Sequence, residues 1–314
     1  MTTASNTGSV SRAVILGQIC AWATSTSSLV SQKLSKEYGF SFPSFQILLT
    51  YMILALFNLK KKNIKISRKT SLLFWVYSTA DVMANYLVVR AFRQTTIVSV
   101  TIILWFSTPV VFIASVLFLK HRYTFTHWAM CALTLAAVVT QILGSGSFDS
   151  LCHSRLAGNL FALGAALLYG TSNIMLEVQL KDVDSLTDLW AHLGMRGLPL
   201  ALAIFFAAEY KCFVNFDFVE GKNIMLLVLL FTFLLMCVYC FAPLVVRFKS
   251  AALLCLSMLF NNAWSVFYNY FFFCDKINIR EIISLFCLVI SVSVFTLKDE
   301  KKPKGGVSIN YENV

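Results

Sequence analysis

The chain has 314 residues, 58% hydrophobic and 13% charged, with a net charge of +11. Soluble domains carry about a quarter charged residues, so lipid is the solvent for most of this chain and a water-soluble globular enzyme is excluded. The positive charge falls in short segments between apolar runs, which reads as membrane topology and excludes a nucleic-acid partner.

Ten runs of about twenty apolar residues follow one another: Ala13–Gln32, Phe42–Leu59, Ser71–Ala91, Thr96–Leu119, Phe125–Leu143, Leu156–Val178, Thr187–Ala208, Asn223–Leu244, Ser250–Phe273 and Ile279–Leu297. Each is long enough for a helix to cross a hydrocarbon core of about 30 Å. The first run lacks a small-residue cleavage pattern and is expected to be a retained span. With a cytosolic N-terminus, sixteen Lys and Arg lie in cytosolic segments and nine on the other side. Both termini are therefore expected in the cytosol. Plasma, Golgi and endosomal membranes are not distinguished, and nothing in the sequence decides for or against a homodimer.

The expected organisation is a cytosolic tail (1–12), a five-helix unit (13–143), a linker (144–155), a second five-helix unit (156–297) and a basic cytosolic tail (298–314). The linker holds the Gly/Ser-rich run Gly144–Ser150. Weak internal similarity spans it. Trp22-Ala23-Thr24-Ser25 resembles Tyr169-Gly170-Thr171-Ser172, with Gly17 over Gly164 and Gln32 over Gln179. In the fourth and ninth runs Thr96 falls over Ser250, and Ser107-Thr108 over Asn261-Asn262. Five is odd, so two consecutive five-helix units enter the membrane from opposite sides. Such inverted repeats are the architecture of alternating-access carriers, with cargo near the bilayer midplane.

Polar residues at that depth are the candidate site, because ionisable groups in a span cost about 2.5–3.5 kcal/mol on insertion scales. Asp81 and Arg196 lie at the centres of the third and seventh runs, placed either to pair or to hold cargo. The run Gly194-Met195-Arg196-Gly197-Leu198-Pro199 reads as a helix break beside a charge, with His192 one turn before Arg196. Asn85 shares a face with Asp81, and Tyr169, Asn173 and Glu177 form a stripe on the sixth run. Asn261 and Asn262 put two carboxamides in hydrocarbon, where unsatisfied amides are costly. Tyr169 and Tyr239 are placed to stack on a ring-shaped cargo. The expected substrate-binding set is thus Asp81, Asn85, Tyr169, Asn173, Arg196, Tyr239, Asn261 and Asn262. No cofactor or metal is expected: Cys237-x-x-Cys240 stands on an apolar helix without a second pair or a nearby His.

The run Ala80-Asp81-Val82-Met83-Ala84-Asn85-Tyr86-Leu87-Val88-Val89-Arg90-Ala91-Phe92, with Thr95-Thr96 and Ser99-Val100, resembles the third-to-fourth-span signature of solute carrier family 35, subfamily F. Tyr169, Ser172-Asn173, Glu177, Cys237, Tyr239, Pro243-Leu244-Val245 and Ser250-Ala251 add to it. The resemblance implies an all-α drug/metabolite transporter fold of ten helices, related to nucleotide-sugar transporters. The subfamily pattern carries acids at the positions of Met83, Leu104 and Asn262 and an apolar residue at that of Arg196. Those differences predict a more positive cavity and an anionic or neutral cargo.

The function expected from these readings is secondary transport of a small polar organic solute, nucleobase-, nucleoside- or nucleotide-sugar-like. The competing reading is a non-transporting receptor or scaffold on the same fold. No nucleotide-binding Gly loop or H-E-x-x-H motif points to an enzyme.

Overall fold

The structure is a computed structural model and describes residues 2–57, 67–118, 125–144, 150–183, 185–217, 221–248, 250–258 and 260–273, with isolated positions at 279, 282, 283, 286 and 290. The tenth expected span and the basic tail therefore lie outside the described residues, apart from those isolated positions.

Among the described residues the regular structure is helical: α1 (Thr2–Lys36), α2 (Pro43–Leu56), α3 (Arg68–Gln94), α4 (Ile97–Leu104), α5 (Ser107–Phe118), α6 (Phe125–Gly144), α7 (Ser150–Asp182), α8 (Leu186–Ile204), a π turn (Phe205–Glu209), α9 (Tyr210–Val214), α10 (Gly221–Phe248), α11 (Ala251–Met258) and α12 (Asn261–Phe273). Six helical segments are long and apolar enough to cross a membrane: Arg12–Lys36, Arg68–Gln94, Ile97–Leu117, Arg155–Asp182, Leu186–Val214 and Gly221–Phe248. The protein is a polytopic membrane protein. α7 begins at Ser150, inside the stretch expected as linker.

Local chemistry sets the helix starts. Ser67, Thr96 and Ser185 cap α3, α4 and α8 by accepting from the backbone N–H groups of Thr70, Ser99 and Asp188. Pro43 opens α2, where its missing N–H costs nothing.

The expected fourth and ninth spans are each interrupted midway. Pro109 removes the donor that Trp105 C=O needs and crowds that carbonyl. The Thr108 N–H takes it instead at 2.9 Å, one residue early, and the Phe106 N–H reaches Ile103 O at 3.0 Å. Phe260 N–H likewise reaches Ser257 O at 3.2 Å, and Ala263 N–H reaches Phe260 O at 3.1 Å. The two interruptions share one register. The bonds Phe106 N–H to Ile103 O and Val110 N–H to Phe106 O recur 154 residues on as Phe260 to Ser257 and Trp264 to Phe260. The starts match as well: Val100 N–H bonds Thr96 O as Leu254 N–H bonds Ser250 O. Ser99 N–H bonds the Thr96 hydroxyl as Leu253 N–H bonds that of Ser250.

Packing follows a matching exchange. α1 lies along α10 and α3 along α7, while α2 lies along α8. α4 and α5 pack on α7, and α11 and α12 pack on α1; α4 also meets α12, and α11 meets α5.

In lipid, helices gain nothing from burying apolar surface against each other, so close approach and hydrogen bonds must hold them. Gly194 and Gly197 serve that purpose on α8. A Cβ at Gly194 would overlap the Ala55 backbone nitrogen, and one at Gly197 would come within 2.6 Å of the Tyr51 ring. The break expected at Gly194–Pro199 is therefore absent: α8 runs unbroken through Pro199, and its glycines are a contact face for α2. Irregularity comes later, at the π turn, where the carboxylate of Glu209 accepts from the Ser44 N–H at 3.0 and 3.1 Å, satisfying an orphan donor of α2. Glu177 does the same for α11, accepting from the Ala251 N–H at 2.9 Å.

Candidate transport cavity

Between α1, α3, α4, α5, α7, α10, α11 and α12 lies a cavity of about 170 Å³. At about 30 Å³ per water it has room for some five or six waters, or one small ring system. Drug-sized ligand pockets run to about 300–1,000 Å³.

Its polar wall is built on α3. Asp81, 5% exposed, receives the Tyr51 hydroxyl on Oδ2 at 2.8 Å and the Ser172 hydroxyl on Oδ1 at 3.2 Å. Tyr239 OH also donates to Oδ2. One turn on, Asn85 donates through Nδ2 to the Tyr51 hydroxyl at 3.2 Å, the Tyr239 hydroxyl at 3.1 Å and the Asp81 carbonyl at 2.9 Å. Its Oδ1 accepts from Tyr169 OH at 2.8 Å. Four helices, α2, α3, α7 and α10, thus converge on one carboxylate and one carboxamide.

Three donors satisfy the carboxylate without neutralising it. An ion pair joins Lys33 to Glu37 at 3.4 Å on the surface of α1. No Lys or Arg among the described residues lines the cavity, and Asp81 is the ionisable carboxyl in its lining. Asp81 and Arg196 do not pair.

Opposite α3, the helix interruptions bring Trp105, Ser107, Thr108 and Asn261 to the wall, where backbone changes course next to short polar side chains. The Trp105 indole N–H and the Thr108 hydroxyl are buried without protein partners. Asn173 donates to Cys255 Sγ at 3.4 Å, and both line the cavity. Thr24, Ser27 and Ser28 of α1 complete the polar part. The remainder is apolar, with Phe92, Leu176, Phe231 and Leu254 among the lining residues.

Of the eight residues expected from the sequence, six line this space: Asp81, Asn85, Tyr169, Asn173, Tyr239 and Asn261. Asn262 does not. It is fully buried, and its Oδ1 accepts from Thr101 Oγ1 at 2.8 Å, tying α12 to α4. Arg196 does not line it either, because turning the Gly194/Gly197 face of α8 onto α2 sends Arg196 toward the first turns of α3. There its guanidinium bonds Ser71 Oγ at 3.0 Å and His192 Nδ1 at 3.1 Å. The expected positive cavity is thereby corrected. Of the positions that differ from the subfamily pattern only Leu104 faces the cavity, and the added base lies outside it.

Among the residues at this cavity that sequence reasoning did not select are Trp105, Ser172 and Cys255, together with Tyr51, which bonds Asp81 without lining the space. Tyr51 offers little signal, being an aromatic in an apolar run, and its role shows only when α2 is set beside α3 and α10.

Comparison with known proteins fixes the lineage. The profile of solute carrier family 35 (SLC35F) matches residues 7–297. This chain belongs to solute carrier family 35. It is 27% identical over 300 residues to solute carrier family 35 member F2 of Mus musculus, covering 92% of this chain and 79% of that protein. The Xenopus tropicalis protein of the same name is 28% identical, over 89% of this chain and 74% of that one. An uncharacterised solute carrier family 35 member of Schizosaccharomyces pombe is 26% identical, over 80% of this chain and 51% of its own length. A crystal structure aligns with a TM-score of 0.62 at 15% identity, covering 94% of this chain and 97% of that one, a likeness of fold. Membership in this family supports a membrane solute transporter.

Proposed function

We propose that this solute carrier moves a small, neutral or weakly basic, ring-containing polar solute, nucleobase- or nucleoside-like, by alternating access. Residues 13–143 and 156–297 act as two inverted five-helix units around the cavity. The exchange of packing partners supports that symmetry. Swapping α1 with α7, α3 with α10, α4 with α11 and α5 with α12 turns each of the contacts α1 to α10, α4 to α12 and α5 to α7 into another contact that is present. The recurrence of capping and interruption bonds 154 residues apart supports it independently.

The observation that carries the cargo class is the wall's charge. A phosphorylated cargo in a low-dielectric cavity needs cationic donors, and the lining offers one carboxyl, amides and hydroxyls. Those groups suit the ring N–H and C=O edges of a heterocycle, and Tyr169 and Tyr239 flank it.

Saturable uptake into proteoliposomes, screened over nucleobases, nucleosides and nucleotide sugars, tests this reading. Uptake within the first two classes and none in the third is expected. Uptake confined to nucleotide sugars contradicts the charge argument, and no saturable uptake of any cargo favours the non-transporting receptor.

A further inference from the structure

The strongest unexplained group is Arg196. It stands half-buried on α8, and no carboxylate lies within ion-pair distance of it among the described residues. A guanidinium in a membrane span without a counter-anion is costly. Of its five N–H donors, those engaged reach His192 Nδ1 at 3.1 Å, His192 O at 3.3 Å and Ser71 Oγ at 3.0 Å. Its Nε is unpartnered, as is Nε2 of His192, a side chain only 6% exposed. Since His192 Nδ1 faces a guanidinium that can only donate, Nδ1 accepts and Nε2 carries the hydrogen. The guanidinium lies over the rings of Phe74 and Trp75, 5.5 and 5.8 Å from their centroids. Two neighbouring donors thus lack acceptors beside a cation that aromatic faces only partly compensate.

The surroundings identify the missing anion. Leu72, Trp75 and Met195 are 66%, 44% and 49% exposed on the outer surface of a membrane protein, so they meet acyl chains. Ser71, which Arg196 reaches, lies in the first turn of α3, at one edge of the membrane. Immediately before it Arg68 and Lys69 are exposed. The sequence preceding them adds Lys60, Lys61, Lys62 and Lys65. A basic cluster beside a span, continuing into a basic pocket between helices, is the pattern that recognises anionic headgroups.

We propose that the groove between α3 and α8 binds the phosphate of an anionic phospholipid. Arg196 supplies the charge, Leu72, Trp75 and Met195 the bed for an acyl chain, and Arg68 and Lys69 the attraction at the membrane surface, while His192 holds the guanidinium from behind through Nδ1. The site is separate from the transport cavity and does not depend on which cargo that cavity takes.

Native mass spectrometry of the full chain, equilibrated with equal phosphatidylserine and phosphatidylcholine, reads the proposal directly. Wild-type protein is expected to retain phosphatidylserine preferentially, and Arg196→Gln to lose about fivefold of that preference, the factor one basic side chain at a lipid surface is worth. Equal retention of the two lipids by wild type, or an unchanged preference in the variant, overturns it. Displacement of phosphatidylserine by millimolar inorganic phosphate alone also overturns it, by making this a soluble-anion site. Should Arg196→Gln fail to accumulate, photoreactive phosphatidylserine on wild-type protein decides. Crosslinks to peptides bearing Leu72, Trp75 or Met195 support the site, and crosslinks confined to other helices refute it.

Discussion

Asp81 permits a quantitative test, because replacing it in two ways separates charge from shape. In Asp81→Leu three hydroxyls lose their acceptor: those of Tyr51, Tyr239 and Ser172. A buried donor left unmatched costs about 1–3 kcal/mol. The Tyr51 and Tyr239 oxygens are 3.2 Å apart, so one can donate to the other and two orphans remain. The expected loss is about 2–6 kcal/mol. In Asp81→Asn the carbonyl oxygen keeps both tyrosines, and the new NH2 donates to the Ser172 oxygen. The two tyrosine bonds change from charge-assisted to neutral, a loss of about 1–2 kcal/mol each. Relief from burying a charge, several kcal/mol per ion, offsets that loss. Asp81→Asn is therefore expected to unfold within a few degrees of wild type and Asp81→Leu well below it. Both are expected to lose uptake, because the charge facing the cargo is gone. Thermal unfolding in one detergent and uptake in proteoliposomes are the paired assays. Wild-type uptake by Asp81→Asn would refute a role for the charge in transport, and wild-type stability of Asp81→Leu would refute the network as drawn.

Gly194→Ala is expected to push α2 from α8 and cost at least the 1–3 kcal/mol typical of overpacking, since the atom it strikes is backbone; an unchanged melting temperature would contradict the packing. Glu209→Gln weakens the charge-assisted cap on Ser44 and is expected to cost about 1–2 kcal/mol, read as earlier unfolding, with transport selectivity unchanged.

The membrane class was legible because a span must be long and apolar, and α1, α3, α7 and α10 all meet that demand in one run. The lining of the candidate cavity was legible where a polar group in hydrocarbon has few reasons to exist: Asp81, Asn85, Asn173 and Asn261 all line it. Reasoning from depth failed for Arg196, since hydropathy gives the height of a backbone position along a span but neither the face that packing selects nor the direction a long side chain takes, here toward Ser71 in the first turn of α3. Here Gly194 and Gly197 determined that face, and they had been read as a break. The interruption at Trp105-Phe106 had a signal in Pro109, four residues on. Its counterpart before Asn261 has no proline, and only the alignment of Ser107-Thr108 with Asn261-Asn262 pointed to it.

In the proposed transport cycle the cavity around Asp81 opens to one side of the membrane at a time. Counterflow measures this most directly: labelled nucleobase or nucleoside entering proteoliposomes preloaded with the same unlabelled solute. A loaded carrier reorienting between the two sides predicts faster initial uptake than into empty vesicles, with a transient overshoot, and no such effect in Asp81→Leu. Uptake that is linear in concentration and indifferent to preloading would contradict alternating access.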